Sequence, residues 1–201
     1  MSKIKICGMF REEDIIACNE AKPDYIGFIF VDWSSRNVDE NKAAALRRML
    51  SPDIIPVGVF VDAPIEQVVR LLKKGTIEMV QLHGKETDMY IAALRTYTNR
   101  LIIKAAGIST TEDVERIVRA ESDYILLDNG EGSTGKSFDW SLAKNISRPY
   151  FLAGGLNTSN IADAVATLNP YAVDLCSGAE TNGVKDPEKM RELVSIVRGR
   201  A

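Results

Sequence analysis

Eight short apolar runs rich in Ile, Val, Tyr and Phe recur along the 201-residue chain, and their spacing constrains the fold more than any other feature. They begin at Lys3 (KIKIC), Tyr25 (YIGFIF), Ile54 (IIPVGVFV), Glu78 (EMVQLH), Leu101 (LIIKAA), Asp123 (DYILLD), Pro149 (PYFLAG) and Tyr171 (YAVDLC), so successive starts lie 22, 29, 24, 23, 22, 26 and 22 residues apart. Runs of this kind are strand signals, and each interval carries a stretch of helical periodicity. A hairpin needs only a few linking residues, whereas a parallel return needs a dozen or more. Seven long crossovers in succession therefore predict an α/β chain of eight parallel strand–helix units. Helix ends are marked chemically by Pro64 ahead of Ile65–Lys74, by Gly75 after it, and by Asp186-Pro187 ahead of the last helix.

Eight such units close into a barrel or lie in an open, doubly wound sheet. An open dinucleotide-binding sheet would carry GxGxxG after its first strand, where this chain has Cys7-Gly8-Met9-Phe10-Arg11. The expectation is a single (βα)8, or TIM, barrel domain over residues 1–201, at the compact end of the range for that fold. Its longest strand-to-helix connections read as Val31–Val38 and Asn129–Ser137, on the face where barrels build their active sites.

The net charge of −3 comes from interspersed acidic and basic residues, which argues against a nucleic-acid or membrane partner. No apolar run approaches the roughly 18 residues of a membrane span, and Met1–Phe10 reads as a charged strand rather than a signal peptide, so a cytoplasmic protein is expected. Cys7, Cys18 and Cys176 are too widely spaced for a disulfide framework or a metal cluster. With one histidine, His83, and no nucleophile elbow, His-assisted hydrolase chemistry starts from a weak position.

In a barrel, polar residues at strand C-termini converge on one bowl: here Cys7, Asp32, Asp62, Gln81, His83, Asp128, Gly154, Gly155, Ser177 and Gly178. Gly154-Gly155 and Ser177-Gly178 end strands seven and eight, whose loops commonly hold phosphate; otherwise they are simply turns. Cys7 is a packing thiol or a base. As a base it needs a lowered pKa or a transient proton transfer, since an ordinary thiol is only about 3% thiolate at pH 7. Asp128 is a turn former or a general acid, the latter requiring a pKa raised by some two or three units. Arg36 is a solvated loop arginine or a clamp for an anion. His83 lines the site rather than binding metal. Cys18 and Cys176 read as packing residues, and Asp174 as an inward-pointing structural support.

Taken together, these residues resemble the phosphoribosylanthranilate isomerases of tryptophan biosynthesis. The resemblance runs through Lys5-Ile6-Cys7-Gly8, Ser35-Arg36, Val57-Gly58-Val59-Phe60, Gln81-Leu82-His83-Gly84, Leu127-Asp128, Thr134-Gly135-Lys136, Leu152-Ala153-Gly154-Gly155-Leu156 and Ser177-Gly178-Ala179-Glu180, in order along the whole chain. It implies a barrel that catalyses the Amadori rearrangement of N-(5-phosphoribosyl)anthranilate with no metal or organic cofactor. Carried over by motif, Asp128 is the general acid and Cys7 the general base. Arg36 holds the anthranilate carboxylate, while Gly154, Gly155, Ser177 and Gly178 hold the phosphate. Gln81 and His83 line the site, and Gly135 belongs to a loop that closes over the substrate. The implied partner is a small phosphorylated molecule, and a monomer is expected rather than a homodimer. The chain departs from the family pattern in lacking a proline before Arg36, in Gly132-Ser133-Thr134-Gly135, and in Leu175-Cys176 where Val-Ser is usual. The rival readings are a sugar-phosphate isomerase or epimerase and a non-catalytic ligand-binding barrel; Cys7 together with Asp128 and Arg36 argues against both.

Overall fold

A computed structural model describes residues 1–130 and 138–199. Eight parallel strands close into a barrel in sequence order: β1 (Lys3–Cys7), β2 (Tyr25–Ile29), β3 (Ile55–Phe60), β4 (Met79–Leu82), β5 (Ile102–Gly107), β6 (Tyr124–Asp128), β7 (Tyr150–Leu152) and β8 (Ala172–Leu175). The helices between them are α1 (Glu12–Ala21), α2 (Glu40–Met49), α3 (Ile65–Lys73), α4 (Asp88–Arg95), α5 (Thr111–Val118), α6 (Ile161–Leu168) and α7 (Pro187–Val197). The strands begin at or one residue after the positions read from the sequence.

Alternation along each strand divides the apolar residues into two cores, as the twofold period requires. One set, including Val57, Met79, Ile103, Leu126 and Phe151, fills the barrel interior. Tyr25, Tyr124 and Tyr171 pack around the fully buried Phe151 and plug the end where the strands start, with ring centroids 4.5 to 5.6 Å apart. The other set, including Ile4, Ile6, Phe28 and Leu82, faces outward against Leu46, Leu71, Leu94 and Leu193 of the helices. The helix ends follow the local chemistry. The Asp186 carboxylate accepts from the Glu188 and Lys189 N–H groups with Pro187 in the first turn, and Gly75 takes a left-handed φ of 68° after α3.

The sequence reading needs three corrections. Among the described residues, the sixth crossover holds only a 3₁₀ turn, Trp140–Ala143, in place of an α-helix. Asp139 spends its carboxylate on the nearby Ser141 N–H, and Pro149 disfavours helix for the residue before it. The connection after β8, Cys176 to Asp186, is longer than the one after β2; it contains a 3₁₀ turn, Ser177–Ala179, and a hairpin, β9 (Glu180–Thr181) with β10 (Val184–Lys185). Cys176 lies just past β8 and not inside it.

The barrel closes where β1 meets β8, with Lys5 opposite Asp174 in register. Both side chains point inward, and Lys5 Nζ donates to Asp174 Oδ2 at 2.7 Å, the lysine side chain being wholly buried. Burial works against the charge on Lys5, but the attraction of Asp174, with a smaller part from Cys7, leaves its pKa raised. Removing one partner of such a pair strands the other charge. Lys5→Met is therefore expected to cost about 3 kcal/mol of stability, and Lys5→Met with Asp174→Leu much less. Urea unfolding of the two variants checks this: equal losses would show that the pair does not behave as a unit.

Candidate active site

The C-terminal ends of the strands surround a cavity of about 260 Å³. Cys7, Arg36, Gln81, His83, Asp128, Gly154, Gly155, Ser177 and Gly178 all line it, so nine of the sequence-derived site residues come together. Gly135, with Thr134 and Lys136, lies outside the described residues. Asp32 and Asp62 stand at strand ends but are not among the lining residues. Asp32 is exposed, and Asp62 accepts from the Lys85 N–H in the neighbouring loop. Cys176 and Asp174, read from the sequence as packing and support, line the cavity as well.

Cys7 ends β1, and burial pushes its thiol up to about 12 against the lowering influence of the Lys5 ammonium. It is therefore a neutral thiol at rest. Asp128 ends β6. Burial raises its pKa, but His83 and the Asn129 N–H outweigh this and leave the carboxyl below its usual value. Asn129 N donates to Asp128 Oδ1 at 2.7 Å, and His83 Nε2 lies 3.4 Å from Oδ2. The raised pKa expected for an acid at this position is thus not found, because these donors stabilise the carboxylate. Gln81 Nε2 lies 2.9 Å from His83 Nδ1. With the Gln81 amide NH₂ as donor to Nδ1, the neutral imidazole places its proton on Nε2, the nitrogen that faces Asp128.

Arg36 enters from the loop after β2, but not as a free fork. Its Nε and Nη2 donate to Glu180 Oε1 and Oε2 at 2.7 and 2.5 Å. This bidentate pairing raises the Arg36 pKa above its ordinary value. Glu180 also takes the Nζ of Lys185, whose side chain is wholly buried, so one carboxylate from the β9–β10 hairpin holds both this lysine and the cavity-lining Arg36. Lys5 and Glu180 were not singled out from the sequence. The alternation that turns Cys7 inward also turns Lys5 inward, which is the signal that identifies it.

After β7 the chain passes along the cavity through left-handed Gly154 (φ 83°) and Gly155 (φ 65°), where the absence of a Cβ lets a ligand approach the backbone closely. After β8, a Cβ at Gly178 would fall 1.8 Å from Leu156 O, so only glycine lets this loop lie against the one after β7. The two loops form one concave surface suited to a phosphate. No group of three His, Cys, Asp or Glu side chains among the described residues is disposed to hold a metal ion, and no described helix is long and apolar enough to cross a membrane. The arrangement offers an ionisable pair from β1 and β6, a cation anchored at the rim and an anion cradle. It can carry proton transfer on a small molecule with two negative groups.

Comparisons with known proteins agree with this geometry. The family model for N-(5'-phosphoribosyl)anthranilate (PRA) isomerase matches residues 4–196. The N-(5'-phosphoribosyl)anthranilate isomerase of Endomicrobium trichonymphae is 46% identical over 98% of this chain and 99% of its own length. The crystal structure of phosphoribosyl anthranilate isomerase from Thermotoga maritima superposes with a TM-score of 0.90 at 33% identity, over 99% of this chain and all of that one. A phosphoribosyl anthranilate isomerase in complex with reduced 1-(o-carboxyphenylamino)-1-deoxyribulose 5-phosphate gives 0.88 at 32% identity, over 99% of this chain and all of that one. The chain belongs to the N-(5'-phosphoribosyl)anthranilate isomerase family.

Proposed function

We infer that this chain performs its family's reaction, the conversion of N-(5'-phosphoribosyl)anthranilate to 1-(2-carboxyphenylamino)-1-deoxyribulose 5-phosphate in tryptophan biosynthesis, with Asp128 as general acid and Cys7 as general base. The observation that carries the assignment of roles is the convergence of these two groups, from strands on different sides of the barrel mouth, on one cavity with an anion cradle. A related structure holding the reduced product supports the substrate class. Protonated Asp128 delivers its proton to the ribose ring oxygen, and the furanose opens to a protonated Schiff base. The Cys7 thiolate then removes the proton from C2, which the adjacent iminium makes acidic. The enolamine takes a proton at C1 while its C2 hydroxyl gives one up, and the ketone results. Gly154, Gly155, Ser177 and Gly178 bind the phosphate. Arg36, held by Glu180, presents its remaining nitrogen Nη1 to the anthranilate carboxylate. Asp174 Oδ1 and Gln81 Oε1 are buried without partners among the described residues, and both suit sugar hydroxyls as donors. Every proposed group comes from one chain, so a monomer suffices.

The resting protonation states are opposite to those the reaction needs: a thiol at Cys7 and a carboxylate at Asp128. The reactive form, thiolate with carboxylic acid, contains the same number of protons. Its share is therefore independent of pH between the lowered carboxyl value and the raised thiol value. Substrate shifts that balance, because its two anions favour protonated Asp128, and the iminium formed once the ring has opened favours the Cys7 thiolate.

Turnover is tested by the decay of anthranilate fluorescence as purified protein consumes freshly made phosphoribosylanthranilate. Cys7→Ser and Asp128→Asn are expected to lose about 10² to 10⁴ or more in kcat. Arg36→Ala is expected to act mainly on KM, because it removes binding shared by ground and transition states. Full activity in either of the first two variants removes that residue from the mechanism, and no turnover in the folded wild type removes the function. The proton arithmetic predicts a flat kcat/KM from about pH 7, above the phosphate titration near 6, to about pH 9.5. It should fall only when acid protonates Asp128 with Cys7 still a thiol, or when strong base removes the last shared proton. A tenfold rise per pH unit through this range would mean that Cys7 titrates independently of Asp128.

A further inference from the structure

Outside the cavity, in the layer between the barrel and its helices, stands a buried ion pair that the reaction above does not use. Lys104 on β5 points outward, since Ile103 and Ala105 on either side of it fill the barrel interior. Its Nζ lies 2.9 Å from Glu86 Oε2, with the two side chains 11% and 1% exposed. The neighbouring outward positions, Ile102 and Ala106, pack in the apolar outer core. Two charges placed there give up their hydration, and an apolar pair of similar size would generally serve stability as well.

What the pair does instead is hold one short piece of chain. Lys104 Nζ donates to Gly84 O at 2.7 Å and to Leu82 O at 3.5 Å, the carbonyls of the two residues flanking His83. Glu86 accepts the Gly84 N–H at 2.9 Å and the Asp62 N–H at 2.8 Å, tying the same segment to the loop after β3. His83 N donates to Phe60 O at 2.8 Å. His83 is therefore gripped by its backbone from outside, while Gln81 meets its ring from inside and the Nε2 proton points at Asp128. We propose that Lys104 and Glu86 are a positioning pair for the isomerisation, fixing the loop after β4 so that the His83 imidazole stays aimed at Asp128 as the one correct tautomer. This rests on the reading of Asp128 as the acid.

The test replaces both charges together, Lys104→Met with Glu86→Leu, so that neither is left unpaired. His83 is the only histidine, so its imidazole nitrogen signals in the NMR spectrum are unambiguous and report the tautomer without any assay. The wild type is expected to show the Nε2–H tautomer alone, and the folded variant a mixture. In turnover, kcat should fall by about 10- to 100-fold, the scale on which small misplacements act, with KM changed less than about threefold. In a His83→Ala background the same double replacement should cost nothing further, because the pair acts through that ring. A single tautomer with wild-type kcat, or a full additive loss without His83, overturns the proposal. If the double variant does not fold, Lys104→Gln is read by the same signals and the same cycle. An inactive wild type would sink the functional reading, while the tautomer measurement would still decide whether the pair positions His83.

Discussion

The ion pair between Lys5 and Asp174 is the interaction on which the site depends. It joins the first and last strands of the barrel, which are the most distant in sequence and the last to meet in a closed sheet. The strand geometry alone would accept apolar residues at these positions. A lysine and an aspartate there put a fixed dipole into the barrel interior beneath the cavity, where charges interact strongly. Lys5 favours the ionised forms of both Cys7 and Asp128, whereas Asp174 disfavours ionisation of Cys7. The closure of the fold and the electrostatics of the cavity are in this sense one feature.

Asp128, the proposed acid, and Cys7, the proposed base, are set far apart in proton affinity, and in the direction opposite to those roles. Burial dominates at Cys7, while at Asp128 the His83 and Asn129 donors overcome it. Such a site holds its proton on Cys7 at rest, which keeps the thiol unreactive. The price is a small reactive fraction, which the charges of the substrate enlarge. At the cavity, Glu180 orders Arg36 before any ligand binds, so less side-chain freedom is lost on binding.

The eight strands were legible because each is a short apolar run in a regular interval, and the parallel crossover rule left few topologies open. The cavity residues were legible because strand ends in a barrel share a face, and the family resemblance gave them roles. Other features were not legible, for physical reasons. Alternation places Lys5 on the same face as Cys7, but its partner is not encoded locally, because only closure of β1 on β8 brings it to Asp174. Glu180 could not be matched to Arg36 because the hairpin that presents it is built from strands of two residues. The proton states of Cys7 and Asp128 depend on burial and on donors from other strands, which no local pattern encodes. In the sixth crossover, among the described residues, an aspartate-capped 3₁₀ turn stands where helical periodicity was expected.

The central claim is that Cys7 rests as a neutral thiol above the buried Lys5–Asp174 pair and yields its proton only when substrate is present. The most direct measurement is the rate at which iodoacetamide alkylates Cys7 in the free enzyme as a function of pH, followed by mass spectrometry of the Cys7 peptide. Because only the thiolate reacts, the account predicts a rate that continues to climb up to about pH 10. A plateau reached below about pH 8 would mean that Cys7 is already ionised at rest, and would contradict it.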